Sequence, residues 1–230
     1  MDEQQTQRNI PYHIVSQLSA DRTGLLYRAI RDDNGENIDL LVLKNVDDPH
    51  VREIRKRISI ARQLDHPAAA RVIAARQEED HQSFLLEPLA ESSLQEIAFA
   101  PASQGKRDLL EYSLQLASVI VAGHRMGLSH GQITPDSVRI RADGSLQFDF
   151  VRSEVHEDPQ SEREWQFLAP EIRSESDHDA AADVFSLASL VVWSFVGPKG
   201  NPTTKLTEFR RQIEQSVAAS AMPEGDVIAF

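Results

Sequence analysis

From residue 12 to residue 48, apolar and polar positions alternate in short runs, broken at Asp21 to Gly24 and again at Asp32-Asp33-Asn34-Gly35. A period of two marks half-buried strands, and Asn-Gly between two such runs is the strongest short-range hairpin signal. The stretch therefore predicts three antiparallel strands. At Asp48-Pro49 the period changes, and Val51, Ile54, Ile58, Ala61 and Leu64 recur at intervals of three and four. That spacing predicts an amphipathic helix, with Asp48 as N-cap and Pro49 in the first turn, where its missing N–H leaves no hydrogen bond unmade.

Short strands expected around Ala70 to Ala75 and Ser83 to Glu87 complete a strand-rich first third. Beyond Pro88 the pattern turns helical. LLEYSLQLASVIVAGHRMG carries the long apolar stripe of a buried helix, and DVFSLASLVVWSFV, starting at Asp183, is apolar nearly all round, which predicts a helix at the centre of a lobe. Between them VRIRADGSLQF predicts a hairpin turning at Asp143-Gly144. The charged, aperiodic run from Arg152 to Glu164 is expected to be an exposed loop. Strands first and helices later define an α+β fold. Its expected parts are an N-terminal extension over 1–11, a first lobe over 12–87 and a second over 88–230.

Charge and composition narrow the function. A net charge of -12 argues against a general affinity for nucleic acid or anionic membrane, so contact with neither is expected, and simple solubility accounts for the acidity itself. The chain has no cysteine, which rules out a disulfide framework and a thiolate metal site and fits a reducing cytoplasm. The polar N-terminus lacks the basic-then-apolar pattern of a secretory signal, and no run approaches the length of a membrane span.

Several strings, taken in order, resemble the eukaryotic-type Ser/Thr protein kinase family from about Tyr12 onward. LSADRTGLLYRA is similar to the Gly-rich loop and the strand after it, LLVLKNV to the strand that ends in the phosphate-binding lysine, and FLLEPLAESSL to the linker between the lobes. LSHGQITPDSV matches the spacing of the catalytic loop His-Arg-Asp-Leu-Lys-Pro-x-Asn, Asp149-Phe150-Val151 is similar to the metal triplet Asp-Phe-Gly, and FLAPE ends in the Ala-Pro-Glu motif. The resemblance implies a two-lobed fold: an antiparallel sheet with one helix, then a mostly helical lobe. It also implies further helices after the central one, so the chain is expected to be a truncated form of that fold, with Glu171 lacking its usual arginine partner.

Carried over residue by residue, the resemblance implies nucleotide contacts at Leu18, Gly24, Leu26, Val42, Lys44, Glu87 and Leu89, with Leu86 as the gatekeeper behind them. Asp149 becomes the candidate metal ligand, in competition with a gapless register that puts Phe150, Val151 and Arg152 on the triplet. His130, Glu171 and Asp183 become scaffold residues, Asp183 bracing the backbone of the catalytic loop. Against this kept frame stand the losses. Ser19 and Asp21 replace two loop glycines, Arg57 stands where a helix glutamate should pair with Lys44, and Glu53 lies one turn earlier as a substitute. Gln132 replaces the catalytic aspartate and Ser137 the metal-binding asparagine. A carboxamide has no useful basicity near neutral pH, and general-base catalysis contributes about 10²–10⁴-fold. Arg139 falls on the floor of the adenine pocket, where a guanidinium either fills the pocket or turns to solvent.

The expectation is a pseudokinase: a kinase-like scaffold or regulatory module, acting by binding, with no intact catalytic residue and no required cofactor. Two alternatives stand beside it. One is an atypical active kinase that uses Lys44 and Asp149 for Mg·ATP and Asp136 as a displaced base. The other is a sensor that binds ATP without turnover.

Overall fold

The computed structural model describes residues 10–20, 23–45, 47–77, 81–99, 105–131, 133–152, 167–169 and 180–196, without the side chains of 98–99, 105–108, 110 and 194–196. Three strands open the chain, β1 (Tyr12–Ala20), β2 (Gly24–Arg31) and β3 (Asn37–Leu43). The turn between β2 and β3 falls at Asn34-Gly35, with Gly35 at a φ of 74°, a conformation that a side chain would strain. Helix α1 (Pro49–Ala61) follows, its first turn capped by the Asp48 carboxylate, which accepts from the His50 N–H at 2.8 Å. Val51, Ile58 and Ala61 are its buried residues. Leu64 lies beyond its end and is half-buried.

Strands β4 (Val72–Gln77) and β5 (Gln82–Leu86) complete an antiparallel sheet of order β1-β2-β3-β5-β4. Strand β4 begins two residues later than its apolar run predicts. The cause is tertiary: Ala70 N–H donates to the Phe148 carbonyl at 2.8 Å and Phe148 N–H to that of Ala68 at 2.7 Å, so these residues bind another element.

The second part contains β6 (Ser92–Ser93), α2 (Leu94–Phe99), α3 (Gly105–Arg125), β7 (Val138–Ile140), β8 (Leu146–Phe148) and α4 (Ala180–Val196). Strands β6, β7 and β8 form a small antiparallel sheet. Its hairpin turns at Asp143-Gly144, where the Asp143 carboxylate accepts from the Ser145 N–H at 2.9 Å. Leu116, Val119 and Ile120 of α3 are buried, as are Ala182, Ser186, Leu190 and Trp193 of α4. Helix α4 is not enclosed all round, however, because Val184 and Phe185 on its first turns are 58% and 39% exposed. No helix among the described residues is long and apolar enough to cross a membrane.

Two clusters hold the fold. The larger joins Leu43, Phe84 and Leu86 of the sheet to Val51 and Ile58 of α1, to α3, to the β7–β8 hairpin and to Leu190 and Trp193 of α4. The smaller, with Ile38, Leu40, Ala29 and Ile10, covers the opposite face of the sheet. The inner face of the sheet and the β7–β8 hairpin therefore enclose the cleft where a site is to be sought.

Candidate functional site

Asp183, fully buried near the start of α4, organises the loop before β7. Its carboxylate accepts from the N–H of His130 at 2.8 Å and from that of Gly131 at 2.6 Å, and the His124 ring nitrogen lies 2.8 Å away. A carboxylate that binds two consecutive amides fixes their peptide planes, and Gly131 takes a φ of 82° in this turn. The His130 ring packs on Phe148 with centroids 4.8 Å apart. Gln132 and Glu171 lie outside the described residues.

Downstream in the same loop, the Ser137 hydroxyl donates to the Thr134 carbonyl at 2.9 Å and accepts from the Thr134 N–H at the same distance. It closes a local turn and faces its own backbone. Asp136 is exposed and accepts from the Ser93 hydroxyl at 3.2 Å, at the start of the small sheet.

The residues expected to surround a nucleotide are not all brought together. Directly opposed residues of an antiparallel pair share a face. Leu26 opposes Leu41 and so belongs to the inner face, whereas Val42 opposes Leu25 and packs in the outer cluster. Leu18 on the edge strand β1 is 47% exposed. Gly24 is needed for strand packing, since a Cβ there would overlap the Val42 carbonyl. Lys44 follows β3, is exposed, and makes no ion pair among the described residues. Glu53, expected as a substitute partner for it, instead lies 3.6 Å from Lys56 on the exposed face of α1. Arg57 turns the other way and donates to the Ser129 carbonyl, linking α1 to the loop that Asp183 holds. Burial lowers its pKa, while Asp183, Glu53 and Asp149 pull it back up.

The cleft contains a chain of charges instead. Asp39, 2% exposed in the middle of β3, lies opposite Arg28 on one side and Leu86 on the other, so its carboxylate points into the inner face. It accepts from Arg28 Nε at 2.6 Å, and its other oxygen is 3.4 Å from Arg152 Nη1. Arg152 Nε is 3.3 Å from Asp149 Oδ2, and Arg152 Nη2 donates to the Glu87 carbonyl at 2.5 Å. Asp149 also accepts from the Val151 N–H at 2.7 Å. One guanidinium thus joins the sheet, the inter-lobe linker and the residue predicted as metal ligand.

Two expectations are corrected here. Arg152, the first residue of the run expected to be an exposed loop, is not itself exposed: its side chain is 9% exposed, because two buried carboxylates stand ready to neutralise it, and residues 153–164 lie outside the described residues. Arg139 does not fill the cleft, since its guanidinium lies on the rim and donates to the Glu91 carbonyl at 3.3 Å. Arginines reach the linker from beyond both strands of the hairpin: Arg152, after β8, at the Glu87 carbonyl and Arg141, after β7, at the Glu87 carboxylate.

The linker itself is heavily bonded. The Glu87 carboxylate accepts from the Arg71 N–H at 3.0 Å and from Arg141 at 3.1 and 3.2 Å. Burial alone would raise its pKa; the Arg71 amide and Arg141 outweigh this and hold it below the ordinary value. The Gln147 carboxamide donates to the Pro88 carbonyl at 3.0 Å and accepts from the Ala90 N–H at 2.7 Å. Leu89, between them, is half-buried.

A magnesium nucleotide does not fit these residues as they stand. The carbonyl that would face an adenine amine already accepts a guanidinium, the carboxylate that would hold the metal faces the same guanidinium, and Lys44 is exposed. No group of three His, Cys, Asp or Glu side chains among the described residues is arranged to hold a metal ion. Chemically, the arrangement neutralises itself and braces the two lobes together. Reading for family positions passed over Asp39, Arg28 and Gln147. The one available signal was a carboxylate in the otherwise apolar run NIDLLVL, which demands a buried partner.

Comparison with known families matches residues 12–226 to the protein kinase domain. Comparison with curated proteins finds no match.

Proposed function

This chain belongs to the protein kinase family, and we propose that it is a pseudokinase, a member that acts by binding a protein partner and not by phosphoryl transfer. The observation that carries this reading is the Arg152 guanidinium, which sits against the Glu87 carbonyl and between Asp39 and Asp149. A nucleotide entering the cleft would have to displace it and leave two buried carboxylates less well neutralised. The sequence supports the same reading, because Gln132 replaces the proton acceptor and Ser137 the metal-binding carboxamide.

What is kept points to a scaffold. Asp183 still holds the His130–Gly131 backbone, and Arg57 ties α1 to that loop in place of the usual ion pair with a strand lysine. A domain selected for catalysis needs α1 free to bring an acid to Lys44, whereas one selected for its surface needs only a fixed shape. The absence of cysteine supports a cytoplasmic setting for such a module. The test is phosphate transfer from radiolabelled ATP to the chain itself and to a mixed protein substrate. The reading expects none above a no-protein control, and transfer abolished by Lys44→Ala would overturn it.

A further inference from the structure

Strand β1 forms one edge of the five-stranded sheet, and among the described residues no strand pairs with its outer side. Its nine residues, YHIVSQLSA, contain no Lys, Arg, Asp, Glu or Pro, although 26% of the whole chain is charged. An open edge is a row of unpaired N–H and C=O groups, which sheets commonly protect with charge, with proline, with short length or with bulges. Only bulges occur here. The ladder with β2 passes over Val15 and Leu18, which have no partner on that strand. With Ile14 they are 55%, 47% and 52% exposed, so the irregularities leave apolar side chains in water where a protected edge would carry charged ones.

Burial points the same way. From His13 to Ala20 every residue of β1 is exposed, and only Tyr12 is half-buried. The strand is therefore held through its ladder with β2 and has neither face buried. A ribbon in that state is marginal in water, and a further paired strand is what stabilises it. Charge selects which strand that is. Residues 12–87 hold eleven Lys or Arg and thirteen Asp or Glu, so only -2 of the net charge of -12 lies in the part that carries this edge. Two copies meeting through it repel each other little, whereas an uncharged strand offers nothing to select an acidic or a basic partner. The sequence is also complementary to itself, because Ile14 and Leu18 lie two residues either side of Ser16.

We propose that the chain forms a twofold dimer in which β1 pairs antiparallel with β1 of a second copy. Ser16 meets its own copy on the axis, Ile14 of each chain stands opposite Leu18 of the other, and the two sheets continue as one. The inference goes beyond the reading of the cleft and does not rest on it, since no residue of β1 takes part in the Arg152 chain.

The test is sedimentation velocity of the full chain from low micromolar to several hundred micromolar. A monomer–dimer equilibrium is expected, with a melting temperature that rises with chain concentration. Ile14→Lys with Leu18→Lys sets like charges opposite each other across the axis and is expected to weaken the dimer about tenfold or more. Both side chains are exposed, so melting of the dilute chain is expected to stay the same. Register is read by disulfide formation, because the chain has no cysteine of its own. Directly opposed residues lie about 4.5–5.5 Å apart, within reach of a disulfide. Among His13→Cys, Val15→Cys, Ser16→Cys, Gln17→Cys and Ser19→Cys, each oxidised in solution, covalent dimer is expected to peak at Ser16→Cys and to fall away on both sides. Ser16→Cys keeps a small side chain at an exposed position, so its result stands even where the lysine pair fails to fold. A chain that stays monomeric over the whole range, a dimer that the two lysines leave intact, or a scan with no maximum at Ser16 overturns the proposal.

Discussion

Arg152 Nη2 donates to the carbonyl oxygen of Glu87 at 2.5 Å, which places the residue after Phe150-Val151 against the segment that joins the two parts of the fold. The contact persists because the guanidinium has company: Asp39 and Asp149 flank it, and Arg28 shares Asp39. Two cations and two anions make the buried set neutral overall, which is the condition under which such charges survive out of water.

That balance predicts a coupling. Asp39→Ala leaves the buried Arg152 with one carboxylate fewer and is expected to destabilise the fold by about 3–5 kcal/mol in urea denaturation. Arg152→Ala strands Asp149 and is expected to be costly as well. The double variant removes both members of one pair, so its loss is expected to fall short of the two single losses added together. Strict additivity would mean that the 3.4 Å approach contributes nothing.

Gly24 separates a packing role from a nucleotide role. A Cβ at this position would overlap the Val42 carbonyl, which is backbone of the paired strand and has nowhere to move. Gly24→Ala is expected to cost about 1–3 kcal/mol of stability with no nucleotide present. A variant as stable as the wild type would return this glycine to the loop-forming role that family position assigns to it.

Glu87 sets a pH dependence with a definite sign. Its folded pKa lies below the ordinary 4.5, so the unfolded chain takes up the proton first as acid is added. The contribution is complete above the ordinary value and is lost as pH falls through the folded one. Denaturation of the wild type and of Glu87→Gln between pH 7 and about pH 3 is expected to show the difference between them shrinking on the acid side. A gap that stays constant with pH would show that the carboxylate has no special partners in Arg71 and Arg141.

Local features of the fold were legible because each is written within a few residues. Asn34-Gly35 and Asp143-Gly144 mark the two hairpins, and Asp48 and Pro49 mark the start of α1. Boundaries set from a distance were not: β4 starts at Val72 because the residues before it bond to Phe148. Family position led to Asp183, His130 and Ser137, whose roles depend on spacing along the chain. It missed the Arg28–Asp39–Arg152–Asp149 chain, whose members lie on three elements and meet only after folding. Arg152 was placed in a solvated loop by the charged company it keeps in sequence, whereas its environment is set by carboxylates far from it along the chain and three residues before it.

The central claim is that the cleft is filled from within, and nucleotide titration tests it most directly. Isothermal calorimetry of the wild-type chain with millimolar ATP, with and without Mg²⁺, is expected to give no heat beyond dilution, while Arg152→Ala, with the Glu87 carbonyl and Asp149 vacated, is expected to gain a measurable response. Saturable binding of Mg·ATP to the wild type, weakened by Lys44→Ala, would contradict the account.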